Sequence, residues 1–299
     1  MGPAVPRRSS RLALLIALAG FFSLSIGDAV VKSMAGEWPA PGVAALRYSI
    51  GLLALTAIVA ARAGRAGFVM PRPAIHLGRG LAVALATLCF FAAVFAMPLA
   101  DATAIQFSSP IITALLAPFV LGERTGRATW AATLLAFAGV LIVLRPNLAE
   151  LGLAALFPVG AAFGMSWLMM LNRMAAGDAP VLAMQWMVAM FAAPLLVLAA
   201  VGYALLVEPI PWPSTGVALK CLAVAGFATL GHGLIFAAVE RADASVVAPM
   251  TYVQLIVAAG IGWAWFRDPL DAATFGGAAL IIAGGLLLWR AQRFGEQRA

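Results

Sequence analysis

A chain of 299 residues that is 64% hydrophobic and only 10% charged, with a mean hydropathy of +1.01, lies far from a soluble domain, which is roughly 45–50% apolar and about 25% charged. Its net charge of +7 sits on a chain with no long hydrophilic tract, so the positive charge belongs with anionic lipid at a membrane face and not with nucleic acid. The two cysteines, Cys89 and Cys221, both fall in apolar runs; they give no disulfide framework and no metal-ligand spacing, and neither cofactor nor metal is expected.

Arg7, Arg8 and Arg11 precede an apolar run that continues to Val31 without a cleavage site, which marks a first membrane helix with a basic flank. In chain order the apolar runs predict ten spans, near 12-31, 43-61, 77-97, 102-121, 128-144, 152-171, 180-202, 217-237, 244-266 and 273-289, most of them near the ~20 residues that cross a bilayer. The expected class is an all-α integral membrane protein. In the first span Asp28 and Lys32 lie one helical turn apart, spaced to meet each other in the favourable acid-before-base order. Charges at membrane depth are expensive and pair or face a cavity, so an ion pair pinning the first two spans and a substrate or proton role both stay open. Arg47 in the second span can join them.

The fourth span carries Gln106 and Ser108-Ser109-Pro110, and the ninth carries Pro249, Tyr252 and Gln254. Proline frees a backbone carbonyl, which membrane depth tolerates only beside protein or a watery cavity, so these two spans are candidate cavity walls. Trp167 in the sixth span, Trp186 in the seventh, Tyr48 and Tyr252 offer rings for stacking or cation-π contact, or simply fill volume. His232 is the one histidine placed inside a span by these boundaries; a proton carrier and a neutral, hydrogen-bonded histidine both stay open. The central-cavity candidates are therefore Asp28, Lys32, Arg47, Tyr48, Gln106, Ser109, Trp167, Trp186, His232, Tyr252 and Gln254.

Charge asymmetry orients the chain. With the N-terminus cytoplasmic, the cytoplasmic segments hold Arg7, Arg8, Arg11, Arg62, Arg65, Arg72, Arg79, Arg124, Arg127, Arg173, Arg241, Arg290, Arg293 and Arg298 out of nineteen basic residues, which places both termini inside.

The chain also repeats itself. Residues 79–102 align with 221–244 at an offset of 142, with Ala86-Thr87-Leu88 matching Ala228-Thr229-Leu230 and Ala100-Asp101-Ala102 matching Ala242-Asp243-Ala244. Ala138 to Arg145 matches Ala283 to Arg290 at an offset of 145. Two units follow, 1-146 and 147-299, together one membrane domain. With five spans each, the second unit enters the membrane from the opposite side, which puts Asp101 outside and Asp243 inside. Inverted repeats of this kind enclose a midplane site in secondary transporters.

The ten-span plan, "GDAVVK" at 27–32, "LRY" at 46–48, "LGERT" at 121–125 and the paired "AG" blocks resemble the EamA-type drug/metabolite transporter superfamily, and within it the YddG-like amino-acid exporters. The resemblance implies two inverted five-helix repeats around a central cavity, and export of amino acids, aromatic or neutral ones foremost, or of related small metabolites, across a bacterial inner membrane by alternating access. It leaves open a carrier of another solute, such as S-adenosylmethionine, a quaternary amine or a drug-like cation, and, as a lesser alternative, a channel. At the end of the ninth span the family pattern has Gly-Glu, where this chain has Arg267-Asp268. The expected partners are a small-molecule substrate and the lipid bilayer, with protons a candidate coupling ion and a monomer or weak dimer as the assembly. The sequence has no HExxH, no G-x-S-x-G elbow and no Walker lysine, so an enzyme is not expected.

Overall fold

A computed structural model of the chain describes residues 10–120, 127–239, 241, 248–269 and 271–296. The described residues are helical and turn-linked, without a strand. The helices are α1 (Ser10–Lys32), α2 (Ala40–Ala63), α3 (Pro73–Ala96), α4 (Leu99–Gln106), α5 (Ser109–Val120), α6 (Arg127–Leu151), α7 (Phe157–Met174), α8 (Val181–Leu206), α9 (Thr215–Val239), α10 (Val253–Ile261) and α11 (Ala272–Glu296). Seven apolar segments are long enough to cross a bilayer: Leu12–Lys32, Ala40–Phe68, Pro73–Ala96, Leu99–Val120, Asn147–Met174, Val181–Leu206 and Thr215–Ile235. Three further apolar helices, Trp130–Leu144, Met250–Phe266 and Ala272–Leu287, are shorter. The chain is thus a multi-pass membrane protein. The "LGERT" stretch, Asp243 and the basic residues before Ser10 lie outside the described residues.

Three details depart from the expected spans. Helix α6 runs on to Leu151, past its expected end at 144, and a 3-10 turn at Gly152–Leu156 carries the chain directly into α7. Asn147 holds this extension: its Nδ2 donates to the Val143 carbonyl at 2.9 Å and to Asp101 Oδ2 at 2.7 Å. The fourth span is two helices, not one. Phe107 and Ser108 form a turn between α4 and α5, and Pro110 sits in the first turn of α5, where its missing N–H is no loss. The Ser108 hydroxyl donates to the Ile105 carbonyl at 2.7 Å, and Ser108 O accepts from Ile111 N at 3.0 Å, so both polar oxygens of Ser108 are paired at the break. The ninth span is irregular as well, a 3-10 turn at Ala248–Tyr252 followed by α10 and a π turn at Gly262–Phe266.

Long helices pack in pairs: α1 on α9, α3 on α7, α2 on α8, and α6 on α11, with α4 on α10. Small residues permit the close crossings. A Cβ at Gly20 would stand 2.9 Å from the Gly231 carbonyl oxygen, and one at Gly139 would stand 2.6 Å from that of Gly277. The main apolar core lies where α1, α2, α3 and α9 meet, around Val31, Met34, Val43, Phe91, Met97 and Cys221.

Candidate functional site

The Gly20–Gly231 crossing draws α1 and α9 together along their length. Ser23 Oγ donates to the Phe227 carbonyl at 3.0 Å, and one turn further on α1 comes Asp28. Asp28 is half-buried, and among the described residues its carboxylate has no hydrogen-bond or ion-pair partner. Arg47 of α2 lies within electrostatic range of it. Arg47 also reaches Cys221 and His232 of α9 electrostatically. The guanidinium carbon lies 4.8 Å from the Tyr48 ring centroid and 5.6 Å from that of Phe91, in cation-π range of both, and the Thr87 hydroxyl fixes Tyr48 by donating to its oxygen at 3.1 Å. His232 is exposed, with Nδ1 2.7 Å from the Ala228 carbonyl, so Nδ1 carries the proton and Nε2 is left as an acceptor. Arg47 on α2 thus lies within electrostatic range of Asp28 on α1 and of Cys221 and His232 on α9.

The expected Asp28–Lys32 contact is not made. Lys32 turns to the end of the ninth span, with Nζ 2.7 Å from Asp268 Oδ2 and 3.0 Å from the Met97 carbonyl. Asp268 Oδ2 also accepts from Leu99 N at 3.0 Å. A carboxylate in reach of a free amine and an unsatisfied helix N-terminal N–H outcompetes the partner on Lys32's own helix. The clamp joins α1 and the ninth span to the turn between α3 and α4. Asp268 reaches it because Arg267, where the family pattern has glycine, adopts the left-handed conformation at φ 57°.

At the opposite end, Asp178, in the loop between α7 and α8, accepts from Arg72 Nε at 3.1 Å and lies 3.4 Å from His76 Nε2. Arg79 Nη1 stands 2.8 Å from His76 Nδ1 and Arg79 Nε donates to Asn172 Oδ1 at 2.7 Å. The hydrogen bonds from Arg72 hold the Asp178 carboxyl below its ordinary range. At the Lys32 end a counterpart forms, Lys220 Nζ lying 2.6 Å from Glu37 Oε1. Both acids follow an Ala-Gly turn with positive φ, Ala35-Gly36-Glu37 and Ala176-Gly177-Asp178. That recurrence was visible in the sequence and marks both latches; the Lys32–Asp268 clamp joins residues 236 apart and left no local signal.

The other candidates scatter around this cluster. Ser25 Oγ, on α1, donates to the Gln254 carbonyl at 3.3 Å, bringing α10 against α1. Tyr252 faces away, its ring edge-on to Phe107 at 6.1 Å and its hydroxyl filling the space beside Gly285. Gln106 and Ser109 flank the break in the fourth span, where the Ser109 carbonyl accepts from Thr113 at 2.9 Å. Trp186 is buried against α2, its Nε1 donating to Thr56 Oγ1 at 3.0 Å, and Trp167 is exposed and stacked on Phe163 at 6.4 Å. An open depression of about 670 Å³ lies by the clamp, lined by Trp263, Ala264, Arg267, Asp268 and Pro269, away from the charged cluster. Among the described residues no group of three His, Cys, Asp or Glu side chains is placed to hold a metal.

Comparison with known proteins agrees with this architecture. The chain matches the EamA-like transporter family twice, over residues 11–145 and 152–290. It is 29% identical over 290 residues to a pseudopaline exporter of Pseudomonas aeruginosa, covering 94% of this chain and 96% of that one. It is 29% identical to a riboflavin transporter of Rhizobium johnstonii, covering 98% and 95%, and 26% identical to an S-adenosylmethionine uptake transporter of Rickettsia bellii, covering 91% of each. A solved crystal structure 24% identical in sequence aligns over 94% of this chain and 98% of its own with a TM-score of 0.59, a shared fold. The chain belongs to the EamA-like transporter family, within the drug/metabolite transporter superfamily.

Proposed function

We propose that this EamA-like transporter is a secondary carrier that moves small organic solutes, amino acids and related metabolites foremost, outward across a bacterial inner membrane by alternating access. One observation carries the reading: the Lys32–Asp268 clamp ties α1 and the ninth span to the Met97–Leu99 turn, and we read that tie as the closed end of a central cavity. A closed end beside unpaired charges at membrane depth is what an alternating carrier needs in one of its two states.

The ten spans form two units of opposite threading, 1-146 and 147-299, with both termini cytoplasmic and the clamp at the outer face. The helix pairing supports this. Exchanging first for sixth span, second for seventh and so on turns the α1–α9 pair into α7–α3, and returns α2–α8, α4–α10 and α6–α11 to themselves. The two family matches divide the chain at the same place, between 145 and 152. The two Ala-Gly-acid latches correspond at an offset of 141.

A second reading, a carrier of another solute, is favoured by the relatives, which are named for pseudopaline, riboflavin and S-adenosylmethionine and for both export and uptake. Counterflow in proteoliposomes separates the two. Purified protein is expected to exchange labelled phenylalanine, threonine or lysine saturably; exchange of riboflavin or a quaternary amine alone would replace the amino-acid reading, and exchange of none would remove the carrier reading.

A further inference from the structure

The Lys32 ammonium has a full set of acceptors. Its Nζ lies 2.9 Å from Asp268 Oδ1, 2.7 Å from Asp268 Oδ2 and 3.0 Å from the Met97 carbonyl oxygen, one acceptor for each N–H donor of a primary ammonium. The Phe266 ring stands beside it, with the centroid 5.2 Å from Nζ, in cation-π range. The acid does not owe its place to Lys32. Asp268 Oδ2 accepts from Leu99 N at 3.0 Å, Asp268 N donates to the Gly262 carbonyl at 3.0 Å, and the carboxylate packs onto bare Gly262, where a Cβ would stand 2.9 Å from Oδ2. Lys32, by contrast, reaches the acid from α1 on a long flexible stem. Asp268 also lines the open depression of about 670 Å³, whose Trp263, Ala264 and Pro269 walls are apolar and suit an alkyl chain. Arg267 lines it too but is exposed, so water and salt screen its repulsion of an entering cation.

We infer that Asp268, the Met97 carbonyl and the Phe266 ring form a receptor for primary ammonium, bordering the depression, in which Lys32 is a tethered occupant that a free primary amine replaces. The ligand class follows from the donors. A primary alkylammonium has the N–H groups to satisfy both carboxylate oxygens and the Met97 carbonyl; a quaternary ammonium has none and would leave the largely buried acid without its hydrogen bonds. Exchange releases α1 from the Met97–Leu99 turn and leaves the bond from Leu99 to Asp268 in place. The tether favours Lys32, because a linked group acts at about millimolar effective concentration. A free amine therefore takes the seat at higher concentration, or once Lys32 is truncated. The seat belongs to the clamp alone and stands whether or not the clamp closes a cavity.

The test compares propylammonium, which supplies the alkyl atoms and the nitrogen that Lys32→Ala deletes, with tetramethylammonium at the same concentration, a cation without donors. In purified Lys32→Ala, propylammonium is expected to return half or more of the melting temperature lost to the substitution, and tetramethylammonium none of it. Adding Asp268→Asn to Lys32→Ala is expected to remove the rescue. Equal rescue by both cations, no rescue in folded Lys32→Ala, or rescue undiminished by Asp268→Asn would overturn the inference. Where Lys32→Ala does not fold, the chain that keeps Lys32 decides. With a Met97→Cys probe in the Cys89→Ser/Cys221→Ser background, reactivity toward a methanethiosulfonate is expected to rise in propylammonium well above the effective concentration of the tether and to stay flat in tetramethylammonium. The same reactivity in both salts would overturn the exchange.

Discussion

Lys32 Nζ lies 2.7 Å from Asp268 Oδ2, across the bundle, and not against Asp28 one turn back on its own helix. The choice ties Lys32 to the ninth span and leaves Asp28 without a hydrogen-bond or ion-pair partner among the described residues. Both partners of the clamp are largely buried, with side chains 11% and 12% exposed. Removing one partner of a buried pair costs about 3–5 kcal/mol. Lys32→Met is therefore expected to lower the melting temperature or, where the carrier relieves the loss by opening, to expose the Met97 turn. A Met97→Cys probe in a Cys89→Ser/Cys221→Ser background reports the second outcome through maleimide reactivity, which rises when Lys32 is replaced. No change in either quantity would show the clamp to be idle.

Arg267 adopts the left-handed backbone at a place where the family pattern has glycine. The conformation costs a residue with a Cβ roughly 1–2 kcal/mol, partly offset by the freedom glycine has when unfolded. Arg267→Gly is expected to stabilise the protein by about 0.5–1 kcal/mol, seen as a melting temperature raised by a few degrees; a fall would mean that the Arg267 side chain holds the turn through contacts of its own.

The crossing of α6 and α11 depends on Gly139, where a Cβ would press to 2.6 Å from the Gly277 carbonyl oxygen and 2.9 Å from Ile281. Backbone cannot yield as a side-chain tip can. Gly139→Val is expected to destabilise by about 1–3 kcal/mol or more through overpacking, measured as a lowered melting temperature in detergent. The same substitution at Gly51, whose Cβ would meet nothing within 4 Å, serves as the control.

The latch at Asp178 sets a pH expectation. Hydrogen bonds from Arg72 hold its carboxyl below the ordinary range, so the charged form is favoured by folding. Stability from such a group is fully present above the unfolded value of about 3.9 and is lost only as pH falls through the lowered folded value. Between pH 5 and 8 this pair stays intact, and reactivity of a cysteine at Ala176, beside the latch, is expected to stay flat; a rise on mild acidification would assign the latch to another titrating group, with His76 the neighbour to replace first.

The class, the approximate spans and the fault in the fourth span were legible because each has a local cause: apolar length, or a proline behind two serines. The pairing of Lys32 was not, because Asp268 lies 236 residues away and a helical i to i+4 acid is the nearer choice on sequence alone. The aromatic candidates divided for a similar reason. Tyr48 joins Arg47 while Tyr252 turns to Phe107 and Gly285, and nothing in composition tells which face of a uniformly apolar helix looks inward. Asp28, Arg47 and His232 stood out because a charge or an imidazole in such a helix needs a reason.

The proposed carrier needs two units threaded in opposite senses, and the two Ala-Gly-acid turns test that threading most directly. Ala35 and Ala176 are exposed and occupy equivalent places in them. With single cysteines at these positions in intact cells, an impermeant maleimide added outside is expected to label Ala35→Cys at once and Ala176→Cys only after permeabilisation. Labelling of both from the same side would contradict the inverted arrangement and, with it, the enclosed site between its halves.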